Sequence, residues 1–239
     1  AGPIEGCFPE SFAAEKELWE PFEYNPDKAN ALLDEMGLDQ RDSNGNRLLP
    51  SGKPLTITIE GFEQWADVMD ACELVVAKMQ EAGINTSLSG IPYANWWDRI
   101  YTSEYQITAY IKTNASPLIL QIYERADTPT QHSTYWAPEW GNWYATGGEA
   151  GEEPTGEARA LQMLFDEIGT TPGEQDRIEI FTQIMHDYLV FFPDIITAGR
   201  TPDPCVVKSN FHNVPEKSLQ SWPLKTPALT NPEQYFFRD

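Results

Sequence analysis

The stretch PLTITIEGFEQWADVMDACELVVAKMQEAGINTSLSG, residues 54–90, decides the fold. Leu55 to Glu60 alternates apolar and polar residues and is rich in Ile and Thr, which reads as a strand. Trp65, Val68, Met69, Cys72, Val75, Val76 and Met79 then recur at helical spacing, with Asp67, Asp70, Glu73, Lys78 and Glu81 on the other face. Gly83 suits the left-handed position that closes a helix. Ile84 to Leu88 begins a second strand. Strand, amphipathic helix and strand in so short a span make a βαβ unit, whose two strands lie parallel.

Working outward, Asn25 caps an upstream helix with Pro26 at its first position, where a missing N–H costs nothing. Its apolar stripe is Ala29, Leu32, Leu33 and Met36, and Gly37 ends it. A polar loop, residues 38–53, leads into the βαβ unit. Downstream, Tyr93 to Ser103 reads as a helix on which Trp96, Trp97 and Ile100 share a face. Tyr105 to Ile111 reads as a third strand. Thr113 to Pro117 is a break, and Leu118 to Tyr123 is short and apolar, either a helical turn or a strand.

Asp127 to Glu153 reads as a long irregular loop with the aromatics Tyr135, Trp136, Trp140, Trp143 and Tyr144. A loop of that length inside a compact domain is functional or disordered, and its aromatic density argues against disorder. Two helices follow. Leu161, Leu164, Phe165 and Ile168 mark the first. Thr171-Pro172-Gly173-Glu174 reads as a capping box opening the second, whose stripe is Ile178, Phe181, Met185, Tyr188, Leu189 and Phe192. Asp194 to Ala198 and Cys205 to Lys208 read as short strands, and residues 210–239 as an irregular, proline-rich tail.

The chain carries 37 acidic against 16 basic side chains, a formal charge of −21. That argues against nucleic acid or an anionic membrane surface as partner, because both reward Lys and Arg. No apolar run approaches the ~18 residues of a membrane span. The chain opens at Ala1-Gly2-Pro3, as a mature form or an excised piece would. Cys7, Cys72 and Cys205 leave one thiol unpaired in any arrangement; Cys72 reads as a packed thiol, and a Cys7–Cys205 bridge stays open. His132, His186 and His212 have no His or Cys at ligand spacing, so no metal site is expected. There is no G-x-S-x-G, Walker loop or G-x-G-x-x-G, so no catalytic residue or cofactor is expected. Asp42-Ser43-Asn44-Gly45-Asn46 lacks the glycine and glutamate placement of a calcium loop and reads as a polar turn.

Three motifs carry a resemblance. Tyr24 to Gly37 (YNPDKANALLDEMG) precedes the polar loop and Gly52-Lys53-Pro54-Leu55. Val75 to Ile84 (VVAKMQEAGI) forms a helix-to-strand junction. Trp143-Tyr144, Gly147-Gly148 and Gly151-Glu152-Glu153-Pro154 lead into the two helices and Asn213-Val214-Pro215. In this order the sequence resembles the family 5 extracellular solute-binding proteins of ABC importers, the peptide/nickel type. The resemblance implies a periplasmic or extracellular protein of two lobes that binds a small solute between them, delivers it to a membrane permease and does no chemistry. It matches the C-terminal lobe, so a fragment is expected.

The resemblance also implies that the loop after the third strand, Ile111 to Pro117, faces the ligand. Peptide-binding members often carry a Trp and an Asp there, the Asp pairing with the peptide α-amine. This sequence has Lys112 near the Trp position and no acid from Lys112 through Tyr123. A buried ammonium without a carboxylate is strongly disfavoured. A sugar, an opine-like compound or a peptide held by its backbone fits better.

The expectation is therefore an α/β lobe of periplasmic-binding-protein type II character, a mixed sheet of four or five strands with flanking helices. Residues 1–209 form the ligand-binding lobe and 210–239 a return segment toward the N-terminal lobe of a longer protein. The expected contacts are Lys112, Asn114, Trp136, Trp140, Trp143 and Tyr144, the aromatics stacking on the ligand. Two rivals remain: a carboxylate-dependent sugar hydrolase, and a protein-interaction domain docking through an exposed Trp-rich loop.

Overall fold

The computed structural model describes residues 23–111, 127–195, 204–218 and 225–238. They fall into two compact units, one from residues 23–111 with Pro129–Thr155, the other from 127–128 and the residues from Gly156 onward.

The first unit is built on a parallel sheet. Strand β1 (Thr56–Phe62), helix α2 (Ala66–Glu81) and strand β2 (Asn85–Ile91) form the expected βαβ unit, with Ile59 opposite Leu88 and Phe62 opposite Ile91. β1 runs past Glu60 to Phe62, paired with β2 throughout, and α2 packs closely on it at Gly61, where a Cβ would lie 3.0 Å from the Met69 sulfur. Every residue of the predicted α2 stripe is covered or half-covered, and Cys72 is buried. Gly83 closes α2 at φ +88°, as expected. Strand β3 (Ile107–Thr108) is shorter than the predicted Tyr105–Ile111 and pairs parallel with β1, giving the order β2-β1-β3.

β1 is thus the central strand, and although apolar and polar residues alternate along it, Ile59, Glu60, Gly61 and Phe62 are all buried. Glu60, at 7% exposure, is tolerated because Arg99 pairs with it through two 2.7 Å bonds.

Helix α1 (Pro26–Glu35) begins as predicted: the Asn25 side chain accepts from the Lys28 N–H at 2.9 Å. Its stripe is only partly used, since Leu32 and Met36 are exposed and Leu33 half-buried. α1 is fastened instead by Arg47, a buried residue that donates to the Leu38 and Ala82 carbonyls and to the Asn30 side chain, and pairs with Asp34. The Asp42 loop is a turn. Its carboxylate accepts from the Asn46 side chain at 3.0 Å and from the backbone N–H groups of Asn46 and Asn44, which hold it below the usual carboxylate range.

Helix α3 (Tyr93–Tyr101) ends two residues before the predicted Ser103, which takes φ +54°. The predicted irregular loop contains helix α4 (Pro138–Ala145), with Pro at its first position; the bulky aromatics of PEWGNWYA hid this from propensity.

The second unit holds α5 (Gly156–Thr170) and α6 (Glu174–Phe191), packed on each other with Leu161, Phe181, Ile184, Met185 and Leu189 buried. The capping box does not form. Thr171 donates its hydroxyl back to the Glu167 carbonyl at 2.9 Å, and Gly173 occupies the N-cap of α6. Cys205 to Lys208 is irregular rather than a strand, with Val206 fully exposed and Cys205 exposed. Asp194–Ala198 runs beyond the described residues, as does Cys7, so the Cys7–Cys205 bridge lies outside them. The tail is more ordered than expected: β4 (Phe211–His212) and β5 (Phe236–Phe237) pair antiparallel.

Candidate functional site

In open parallel sheets, ligands bind outside the carboxyl ends of the strands. At that edge the chain places aromatic side chains on each successive connection. Phe62 ends β1, and Trp65 follows it with ring centroids 4.5 Å apart in an edge contact. Tyr93 opens α3 just after β2 and stacks on Phe62 at 5.1 Å, with 56% of its surface exposed. Tyr110 follows β3 and stacks on Trp96 at 5.3 Å and 17°. Tyr135 lies 5.0 Å from Tyr110, and Trp136 packs against the same cluster.

Phe62, Trp96, Ile100 and Tyr135 form the buried floor, and Trp65, Tyr110, Trp97 and Trp136 the half-covered surround. The Trp96 indole N–H is buried with no hydrogen-bond partner among the described residues. Polar contacts hold the floor in register. Tyr105 donates its hydroxyl to the Tyr135 carbonyl at 2.6 Å, tying β3 to the returning segment. Burial pushes that phenol up to about 12. Arg99 joins α3 to β1 through Glu60 and also donates to the Glu104 carbonyl. The hydrogen bonds that Arg99 donates to Glu60, aided by the charges of Glu60 and Glu104, raise its guanidinium above its ordinary value.

The predicted contacts divide. Trp136 belongs to the cluster. Trp140, Trp143 and Tyr144 sit at i, i+3 and i+4 on α4 and share one helix face, each half-buried. The opposite face, Pro138 and Gly141, is buried, Gly141 lying against the backbone of Gln131. Trp143 lies beside Gly148, where an added Cβ would meet the indole nitrogen at 3.4 Å. Lys112 and Asn114 lie outside the described residues. Tyr93 and Tyr110 were not singled out from the sequence; their signal was position, directly after β2 and β3. Among the described residues no group of His, Cys, Asp or Glu is arranged to hold a metal, and no helix is long and apolar enough to cross a membrane. His186 sits 3.3 Å from the Asp187 carboxylate on α6.

The family model of the bacterial extracellular solute-binding proteins, family 5 (middle), matches residues 1–134. The chain belongs to this family. It is a family of binding proteins. No curated protein matches the sequence. Among solved structures, the fold is similar to the oligopeptide-binding protein OppA, at 24% identity and a TM-score of 0.65, over 93% of this chain and 37% of that one. It is similar to the mannohexaose-bound periplasmic oligopeptide-binding protein of Thermotoga maritima, at 20% identity and 0.53, over 84% and 36%. It also resembles the stachyose complex of the periplasmic binding protein MelB from Agrobacterium fabrum, at 15% identity and 0.60, over 80% and 28%. At these identities the likeness is one of fold. The chain spans little more than a third of the length of OppA.

Proposed function

We propose that the chain is the C-terminal ligand-binding lobe of the substrate-binding component of an ABC importer, working in the periplasm or outside the cell. Residues 1–209 act as the lobe and 210–239 as the return segment toward an N-terminal lobe. A small solute (oligopeptide, opine-like compound or oligosaccharide) binds reversibly between the lobes, shifts a hinge equilibrium toward the closed form and is handed to a membrane permease without chemical change.

The observation that carries this reading is the aromatic cluster at the carboxyl edge of the β2-β1-β3 sheet, with Tyr93 half open to solvent. Flat aromatic faces suit sugar rings and peptide planes. Fold relatives named for oligopeptides, and others holding mannohexaose and stachyose, support both solute classes. Lys112, Asn114, Trp136, Trp140, Trp143 and Tyr144 are the proposed contacts, with Trp65, Tyr93 and Tyr110 added from the geometry. Lys112 and Asn114 follow Tyr110 and Ile111 in the sequence, and Trp136 packs in the cluster.

Titration calorimetry of the chain against peptides, opines and oligosaccharides, with tryptophan fluorescence read in parallel, tests the reading. Weak saturable binding of one class, quenching fluorescence and lost in Tyr93→Ala, is expected. A panel in which nothing binds overturns it. Dipeptide binding that disappears on acetylating the amine overturns the inference from the missing Asp.

A further inference from the structure

Helix α3 carries an aromatic series that begins in the edge cluster, with Tyr93 and Trp97, and runs on beyond it to Tyr101. Tyr93, Trp97 and Tyr101 recur at i, i+4 and i+8 and so follow one another along a single helix face. Tyr93 meets Trp97 edge-on at 6.5 Å, Trp97 lies near-parallel to Tyr101 at 5.7 Å, and His132 extends the series 4.8 Å beyond Tyr101. His132 is fixed there by its Nε2, which donates to the Tyr101 carbonyl at 3.1 Å. The buried face of α3 is a different one, made by Trp96 and Ile100. Both Tyr93 and Tyr101 are exposed, so burial in the fold does not account for the series.

The chemistry beside the series narrows its occupant. The basic residue of α3, Arg99, is held by Glu60 and Glu104, so the helix offers no open cation to an anionic ligand. Beyond its first turn the backbone groups of α3 are used within the helix, so along the face from Trp97 to Tyr101 an extended peptide finds none of the main-chain partners that strand-like recognition needs. Asp98 is exposed and precedes Tyr101 by three residues, the i, i+3 spacing of neighbours on a helix surface; its carboxylate has no partner among the described residues. Sugar rings present apolar C–H faces that stack on aromatic rings, and hydroxyl pairs that donate to a carboxylate. From Tyr93 to Tyr101 the helix rises about 12 Å, at ~1.5 Å per residue, room for more than one ring.

We infer that Tyr93, Trp97 and Tyr101, with Asp98 beside them, form a linear subsite for a neutral oligosaccharide that starts at the carboxyl edge of the sheet and continues along α3. This rests on the solute-binding reading and names the solute class. Binding should tighten from disaccharide to tetrasaccharide to hexasaccharide of one sugar, measured by calorimetry on the full chain. In Tyr101→Ala the ratio of hexasaccharide to disaccharide affinity falls roughly three- to tenfold, the range of a lost aromatic contact; it falls in Asp98→Asn as well, while Tyr101→Phe retains the ratio. Far-ultraviolet circular dichroism checks that each variant is folded. A length-independent affinity overturns the inference, as does a ratio untouched in Tyr101→Ala, or a hexapeptide showing the same Tyr101-dependent gain. If Tyr93→Ala abolishes saccharide binding while Tyr101→Ala leaves the ratio unchanged, the edge site stands and the α3 subsite falls. If neither saccharide nor peptide binds, both fall.

Discussion

Arg47 is buried to 1% exposure, and its side-chain bonds reach three pieces of chain: Ala82 at the end of α2, Leu38 after α1, and Asn30 and Asp34 within α1. Its backbone is engaged as well, donating to the Gly83 carbonyl at 2.7 Å and accepting from the Leu55 N–H at 2.8 Å. A cation at the C-terminal end of α2 also meets the favourable end of the helix dipole. Asp34 is more than half exposed and stays solvated without it, so the cost of losing Arg47 is mainly that of stranded carbonyls. Arg47→Met should therefore destabilise the chain by on the order of 2–4 kcal/mol, read as a lowered urea midpoint. Tyr105 gives a pH effect. Its phenol titrates near 10 in the unfolded chain and about 12 in the folded one, so folding favours the neutral form. That stabilisation is full below pH 10 and is lost as pH rises from about 10 through about 12. Urea midpoints measured across this window should fall, and Tyr105→Phe should flatten the fall. At neutral pH the same variant costs about 1 kcal/mol, for the bond to Tyr135.

At the scale of elements, what was legible in the sequence was what periodicity encodes. The α2 stripe, the Asn25 cap and the parallel pairing of β1 with β2 follow from spacing and one capping residue. Pairings between distant residues carried no such signal. The burial of Glu60 had no sequence signal, because alternation is blind to which strand is central and to an arginine many residues away. Helix α4 escaped notice because tertiary packing, rather than propensity, holds it: Gly141 lets its backbone rest on the Gln131 chain. Gly141→Ala would drive a methyl group into that backbone. It should lower stability by about 2–3 kcal/mol and displace α4, measurable as a change in the near-ultraviolet dichroism of Trp140 and Trp143. The candidate site was half legible for the same reason. Trp136, singled out through local aromatic density, packs in the cluster, whereas Tyr93 and Tyr110 are separated in sequence and each reaches Phe62 only through the strand order.

For the whole molecule, the charge of −21 is an intramolecular load. Like charges repel most in the compact state, and salt shortens their reach to about 8 Å at physiological ionic strength. The melting temperature should therefore rise as sodium chloride is added, by about 2–4 °C for each kcal/mol of repulsion removed. A flat salt response would mean that the acids are already compensated. The first unit draws on two separate stretches of chain, residues 23–111 and Pro129–Thr155. The two stretches are clasped by the Tyr105 bond to the Tyr135 carbonyl, the Tyr110–Tyr135 rings and His132 on Tyr101. The chain is thus a natural candidate for splitting. Cut between Ile111 and Pro129, it yields two polypeptides that carry complementary halves of one aromatic surface, and their reassembly would regenerate the sheet edge without a peptide bond joining them.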